Sequence, residues 1–353
     1  MTIDVAVIVN ANARKFVDCP ARIESIARLA EGRAHFFVTR DGGELDGAIA
    51  RARDDGARVL VLCGGDGSYG AGVTSIARAW EARALPVVAL APGGTVGTVP
   101  RAIGAHARGE TAAAVGRVLH RACALASMSE RDARAATLAQ PTLSIRADGA
   151  AERLAFIFGT GLVASFFELY DPRGAALGRA AAAHGAPASE GPSGGDGYLA
   201  AARIVARVFV ESFVGGAYAR RVLEPLRCDV DVDGERVPWL ASSLVVASVV
   251  RDLGLGMRVT HRAAEDPLRP HVVVSGLSPR TLGPRMTRVL SGRPIGDPGE
   301  PHLDALVREL KVEFPSGAGP YVLDGDLRIA RQVVVSAGPT LRVLGIPRGH
   351  RAT

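Results

Sequence analysis

The apolar run Val59-Leu60-Val61-Leu62-Cys63 passes without a linker into Gly64-Gly65-Asp66-Gly67-Ser68. Such a run, ended by glycines, reads as an apolar strand that runs into a helix. Glycines let backbone N–H groups come close to phosphate oxygens, and a helix N-terminus adds positive potential. An ordinary strand-to-helix turn needs one glycine or two, so three around a carboxylate favour a ligand loop. A carboxylate in an anion-binding loop repels phosphate unless it holds a metal, takes a proton or orients water. Asp66 is therefore a candidate catalytic group and Mg2+ ligand. The structural alternative is an N-cap for the following helix.

The flanking sequence alternates strands and helices. Strands are expected at Ile3–Val9, His35–Val38, Arg58–Cys63 and Val87–Ala91, and helices at Pro20–Ala30, Leu45–Arg53, Tyr69–Ala82 and Glu110–Ala124. That alternation implies a parallel sheet. A second glycine loop, Pro92-Gly93-Gly94-Thr95-Val96-Gly97-Thr98, also follows a strand directly. Ligands of open parallel sheets sit beyond the carboxyl ends of the strands, so the two loops are placed to face one crevice.

From Thr142 onward short alternating segments take over: Leu143–Arg146, Arg153–Phe158, Cys228–Val232, Leu244–Val249 and His271–Val274. A helix is expected at Tyr198–Val214, after the Gly/Pro/Ser-rich stretch Gly185–Gly197, and another at Leu303–Leu310, after the loop Gly292–Pro301. The last strands, Arg331–Val335 and Thr340–Leu344, close the second domain or return to the first. The fold class is α/β: an N-terminal parallel-sheet nucleotide domain over 1–138, with 331–353 as a candidate completion, and a β-rich domain over 139–330.

A chain of 353 residues, 48% hydrophobic, exceeds the size at which one core stops growing, which agrees with two domains. The four cysteines, Cys19, Cys63, Cys123 and Cys228, lack metal or redox spacing and read as free thiols of a reducing cytoplasm. The net charge of +6 comes from scattered arginines interleaved with acids, without an aromatic-bearing basic cluster, so no nucleic-acid partner is expected. No signal-peptide pattern opens the chain, and no apolar run reaches the roughly 18 residues of a membrane span. A cytoplasmic protein with at most peripheral membrane contact is expected. Neither lysine, Lys15 or Lys311, belongs to a Gly-Lys-Ser/Thr, and no G-x-G-x-x-G follows the first strand, which excludes P-loop and dinucleotide Rossmann sites. The eight histidines are dispersed singly and read as core or surface residues.

With Gly64-Gly65-Asp66-Gly67-Ser68 and Pro92-x-Gly94-Thr95 in this order, the chain resembles the diacylglycerol kinase catalytic family, which includes bacterial lipid kinases, sphingosine kinases and ceramide kinases. The resemblance continues in Asn10 and Thr39 at the first two strand ends and in Arg101-Ala-Ile-Gly104. Farther on it includes Phe158-Gly159-Thr160-Gly161, Gly254-Leu255-Gly256-Met257 and Asp324-Gly325-Asp326. It implies a kinase that binds ATP with Mg2+ between an α/β domain and a β-sandwich domain. The γ-phosphate would pass to a hydroxyl of diacylglycerol, a sphingoid base or a related lipid at a membrane surface. It also implies nucleotide contacts at Asn10, Thr39, Gly64, Gly65, Asp66, Gly67, Ser68, Gly94 and Thr95, and a general base at Asp326, where the family has Glu. A homodimer is compatible with this reading.

The sequence departs from the family at several points. The family's Gly-Thr-x-Asn-Asp has Gly97 and Thr98 in its last two places, and Gly70 replaces an asparagine. Its Asp-Asp-Gly, tied to a structural Mg2+ site, has only Glu265-Asp266-Pro267 to match it, and no such site is assigned. These losses support an alternative, a degenerate member that binds nucleotide or lipid without turnover. An NAD kinase, which shares Gly-Gly-Asp-Gly, would need an Asn-Glu pair, and neither Asn10 nor Asn12 precedes a glutamate.

Overall fold

The computed structural model describes residues 3–81, 83–94, 97–104, 109–170, 197–214 and 216–345. The chain divides into two compact units, residues 1–140 with 340–353, and residues 141–339.

The first unit is built on β1 (Val5–Asn10), β2 (His35–Thr39), β3 (Val59–Gly64) and β4 (Val87–Pro92), which pair in parallel in the order β2-β1-β3-β4. Leu341–Val343 adds in parallel beside β4, and Leu138–Gln140 closes that edge antiparallel. Successive side chains of a strand point to opposite faces, and here both faces are covered. Val5, Val7, Val9, Val59, Val61 and Cys63 pack with Ile26 and Ala30 of helix Ala21–Ala30 and with Val115, Leu119 and Ala122 of helix Thr111–Ala126. On the opposite face Ala6, Ile8, Leu60 and Leu62 are equally buried, and helices Gly42–Asp54 and Asp66–Trp80 pack against β1, β2 and β3. Double coverage explains why the strands are continuous apolar runs. Because the chain leaves β1 for one side of the sheet and crosses to β3 on the other, strand order reverses between β1 and β3. That is the topological switch point, where open α/β sheets bind ligands.

The second unit contains two six-stranded antiparallel sheets. In one, Asp229–Val232, Glu309–Glu313, Gln332–Ala337 and Leu143–Ala147 pair in turn. The other runs His302–Leu306, His271–Ser275, Leu244–Ser248, Ile157–Gly161, Gly319–Leu323 and Asp326–Ala330. Helices Leu162–Tyr170, Gly197–Val214 and Ala217–Val222 cover a face of this second sheet, where Val208, Val222, Leu244, Val246 and Val273 share a cluster.

The expected helix at Leu303–Leu310 is two strands, His302–Leu306 and Glu309–Glu313, which belong to different sheets. Leu310, Val312 and Phe314 are buried while Glu309 is exposed, a period of two that decides for extended chain. The chain changes sheets at Arg308, where the Asp233 carboxylate accepts from the N–H groups of Arg308 (2.7 Å) and Glu309 (2.8 Å). Arg153–Phe158 likewise splits into Arg153–Ala155 and the start of Ile157–Gly161, one in each sheet. Of the final strands, Gln332–Ala337 pairs inside the second unit and Leu341–Val343 inside the first. The stretch 185–196 lies outside the described residues.

Candidate functional site

The helix expected from Tyr69 begins at Asp66, so the glycine loop is the first turn of helix Asp66–Trp80 with Gly65 as its extended N-cap. Ser68 organises that turn. Its Oγ accepts from Gly65 N–H (3.3 Å) and from Asn10 Nδ2 (2.8 Å), which links the ends of β1 and β3 across the switch point. Asn10 Oδ1 in turn accepts from Asn12 N–H at 2.9 Å. The sequence-predicted residues Asn10, Gly64, Gly65, Asp66, Gly67, Ser68 and Gly94 thus meet at one end of one sheet.

The glycines of the two loops have a reason the sequence did not show. Gly64 C=O accepts from both Gly93 N–H (2.8 Å) and Gly94 N–H (2.9 Å), so the loops touch backbone to backbone. A Cβ on Gly94 would lie 2.5 Å from Gly65 Cα, and one on Gly93 would lie 2.9 Å from Gly64 Cα. Contact between the loops, as well as any approach of a ligand, requires glycine here.

Asp66 completes the joint. Its Oδ2 accepts from Thr98 N–H (2.8 Å) and its Oδ1 from Val99 N–H (3.0 Å), so it caps the short helix Thr98–Ala102 from outside. Desolvation by the surrounding protein pushes the Asp66 carboxyl above the usual range, while the N–H groups of Val99 and Thr98 and the charge of Arg101 pull the other way. Asp66 is the first helical residue after the N-cap Gly65, not the N-cap of its own helix. Gly97, where the family has Asn, takes a left-handed φ of 63° as N-cap of the helix that Asp66 holds.

Lys15 was not visible as a site residue, because a lone lysine carries no motif. It stands on the short helix Arg14–Val17 beyond β1, and its N–H donates to Gly93 C=O at 2.9 Å. Half-burial, and then the charges of Arg22 and Arg101, hold its ammonium below the ordinary lysine value, partly offset by Glu110. Cations crowded in this way beside a glycine loop gain from a bound polyanion. Thr39 ends β2 as expected, but it is buried and its hydroxyl donates to Val9 C=O at 3.4 Å. Thr95 lies outside the described residues.

In the second unit Asp324 and Gly325 form the tight turn between Gly319–Leu323 and Asp326–Ala330, with φ of 48° and 99°. Left-handed φ at both central residues is what a two-residue hairpin needs, and Asp-Gly satisfies it. Asp324 is 5% exposed, and its carboxylate accepts from Phe156 N–H (2.9 Å) and Ile157 N–H (2.8 Å), which pins the turn to the neighbouring strand. Asp326 opens the next strand, with Arg328 Nη2 3.6 Å from its Oδ2. Phe167 packs under this turn, 3.6 Å from where a Cβ on Gly325 would stand, and joins a cluster with Val322 and Leu327.

Residues 4–128 match the family model described as Diacylglycerol kinase catalytic domain. Over this stretch the family resemblance holds. Three solved structures from Bacillus anthracis share the fold over both units. Two, of a protein proposed to be a diacylglycerol kinase, align with TM-score 0.59 at 15% and 13% identity; the first covers 98% of this chain and 97% of its own, the second 98% of each. A third, described as a diacylglycerol kinase, aligns with TM-score 0.54 at 12% identity over 98% of this chain and 97% of its own. No curated protein matches the chain. Among the described residues, no helix is long and apolar enough to cross a membrane.

Proposed function

We propose that the protein is an ATP-dependent lipid kinase that transfers the γ-phosphate to a hydroxyl of diacylglycerol, a sphingoid base or a related lipid. The observation that carries the reading is the Asp66-tied pair of glycine loops at the switch point, with Lys15 beside Gly93. The turn at Gly65–Ser68 opens a helix, so backbone N–H groups and helix dipole favour phosphate there, and Lys15 and Arg101 supply the opposite charge. The Asp66 carboxylate accepts the N–H groups of Thr98 and Val99 and bonds to the Thr98 hydroxyl. Of its roughly four lone-pair sites one is left, so the residue fits a shared ligand of Mg2+ with the nucleotide phosphates. The bound nucleotide would supply the phosphoryl group, with Mg2+ offsetting its charge.

The acceptor-side base is Asp326, and its task is to take the proton from the attacking lipid hydroxyl. Asp324 serves it as a positioning residue by fixing the turn. Because the acceptor is a lipid, the protein works as a peripheral visitor to a bilayer surface. The test is transfer of labelled γ-phosphate from ATP to a panel of diacylglycerol, sphingosine, ceramide and monoacylglycerol, with Mg2+ or Mn2+. Label on one lipid class, lost in Asp326→Asn, supports the reading; no label on any of them overturns it.

A second reading, a nucleotide binder without turnover, is favoured by one observation. Gly97 and Thr98 stand where the family has an amide and a carboxylate, and Thr98 N–H occupies Asp66 Oδ2. In that case ATP binds and no lipid is labelled.

A further inference from the structure

A group of polar residues lies far from the glycine loops along the sequence, inside the second unit. His271–Ser275 and His302–Leu306 pair antiparallel with Val273 opposite Asp304 and Ser275 opposite His302. Alternation along the strands places His271, His302 and Asp304 on the same face as Val273, which is the face that carries the apolar cluster with Val246 and Leu277. The His271 side chain is 0% exposed, His302 6% and Asp304 12%. His261, from the preceding loop, stacks edge-on against His271 with ring centroids 5.1 Å apart.

Several atoms in this cluster are unsatisfied. His271 Nε2 meets Asp304 Oδ1 at 2.7 Å, and His302 Nε2 lies 4.0 Å from Asp304 Oδ2. Yet His261 Nδ1, both ring nitrogens of His302 and Asp304 Oδ2 have no hydrogen-bond partner. Burial of an unpaired polar atom is costly, and four in one place call for a shared partner. Ligand atoms of His261, His271 and Asp304 already lie within 4.8 Å of one another. The surrounding chain is built closely around them: a Cβ on Gly296 would come within 2.3 Å of the His302 ring. Arg285, bound to Glu300 at 2.9 Å and to the C=O of Ile295 at 3.0 Å, braces that loop.

We propose that His261, His271 and Asp304, with His302 beside Asp304 as a supporting group, form a structural site for one divalent cation of the zinc class. Imidazole nitrogens with a single carboxylate suit zinc and its late first-row neighbours, whereas Mg2+ and Ca2+ require a mainly oxygen shell. The ion replaces the proton shared by His271 Nε2 and Asp304. Neutral His271 then carries its proton on Nδ1, which sets Nδ1–H and Arg262 N–H, both donors, 3.3 Å apart, so the Arg262 N–H has to turn to another acceptor when the ion binds. His302–Leu306 is the outer strand of its sheet, so the ion would fasten an edge strand to the loop that bears His261. The site is chemically separate from the proposed nucleotide site, and its test does not depend on kinase activity.

The experiment uses the untagged full-length protein, stripped with a chelator and titrated with Co2+ as a spectroscopic stand-in. The expected result is uptake of one equivalent, with the intense visible absorption of a low-coordinate site. Zn2+ should displace it and Mg2+ should not, and Zn2+ should raise the thermal midpoint. His302→Gln should weaken uptake about 10–100-fold, the range seen when a supporting group is lost, and Asp304→Asn by more. Because such variants can fail to fold, zinc X-ray absorption on the wild-type protein supplies an independent reading, with nitrogen and oxygen in the shell and no sulfur. Absence of Co2+ uptake, sulfur in the zinc shell, or uptake unchanged in a folded Asp304→Asn protein would overturn the proposal.

Discussion

Asp66→Asn separates the structural role of this residue from its chemical one. The carboxylate accepts from Thr98 N–H and Val99 N–H, one on each oxygen. An asparagine side chain is almost the same shape but has one acceptor and one donor. It therefore keeps one of these bonds and turns an N–H toward the other. A bond to a charged acceptor contributes about 1.5–3 kcal/mol, and a buried donor left unsatisfied costs about 1–3 kcal/mol. The desolvation that raises the Asp66 pKa is relieved in the amide and offsets part of this. The expected net loss is about 2–3 kcal/mol in the first unit. The two units need not unfold together, so the unit must be watched alone. Trp80 is 7% exposed, ends the helix that Asp66 begins, and is one of two tryptophans in the chain. In a Trp239→Phe background its fluorescence reports urea unfolding of the first unit. With a slope of about 2 kcal/mol/M the midpoint should fall by about 1–1.5 M. An unchanged midpoint in Asp66→Asn would refute the view that Asp66 ties the two loops.

Three further outcomes are expected. Gly94→Ala should destabilise the first unit by about 1–3 kcal/mol and abolish ATP binding, because the new Cβ meets Gly65 Cα at 2.5 Å, whereas Gly47→Ala, with nothing within 4 Å in a helix, should stabilise by up to about 1 kcal/mol; urea curves and calorimetry check both. Asp324→Ala leaves the N–H groups of Phe156 and Ile157 unpaired, so denaturation of the second unit should show a loss of about 2–4 kcal/mol, and any lipid phosphorylation should fall with it as Asp326 loses its support. Arg285, first through its hydrogen bond, holds the Glu300 carboxyl at about 2, down from 4.5. A depressed folded-state value means stability that is present above pH 4.5 and lost as pH falls toward 2, so Glu300→Gln should flatten that part of the acid unfolding curve.

The first unit was largely legible because its information is local. Strands buried on both faces have to be apolar throughout, so Val59–Cys63 announces itself, and two glycine clusters after two such strands mark the crevice. The error at the start of helix Asp66–Trp80 has the same origin: glycines that look like an open loop are the first turn of the helix. What stayed hidden depends on chain segments meeting in space. Asp66 finds its partners at Thr98 and Val99, and Lys15 gains meaning only from Gly93, Arg22 and Arg101. His302 and Asp304 stand two apart on one strand, but His261 and His271 lie far earlier in the chain, and antiparallel pairing is what brings His271, His302 and Asp304 onto one face. His302–Leu306 and Glu309–Glu313 were mistaken for one helix because the two halves serve different sheets and the sheet change at Arg308 interrupts their alternation.

The most direct test of the central claim, that the Asp66-tied loops seat a nucleoside triphosphate, is calorimetric titration of Mg·ATP into the wild-type protein and into Lys15→Met. The account predicts saturable binding of one ATP, weakened about tenfold or more when the Lys15 charge, which shares its surroundings with Arg22 and Arg101, is removed. No heat of binding in the wild type, or equal affinity in the two proteins, would contradict it.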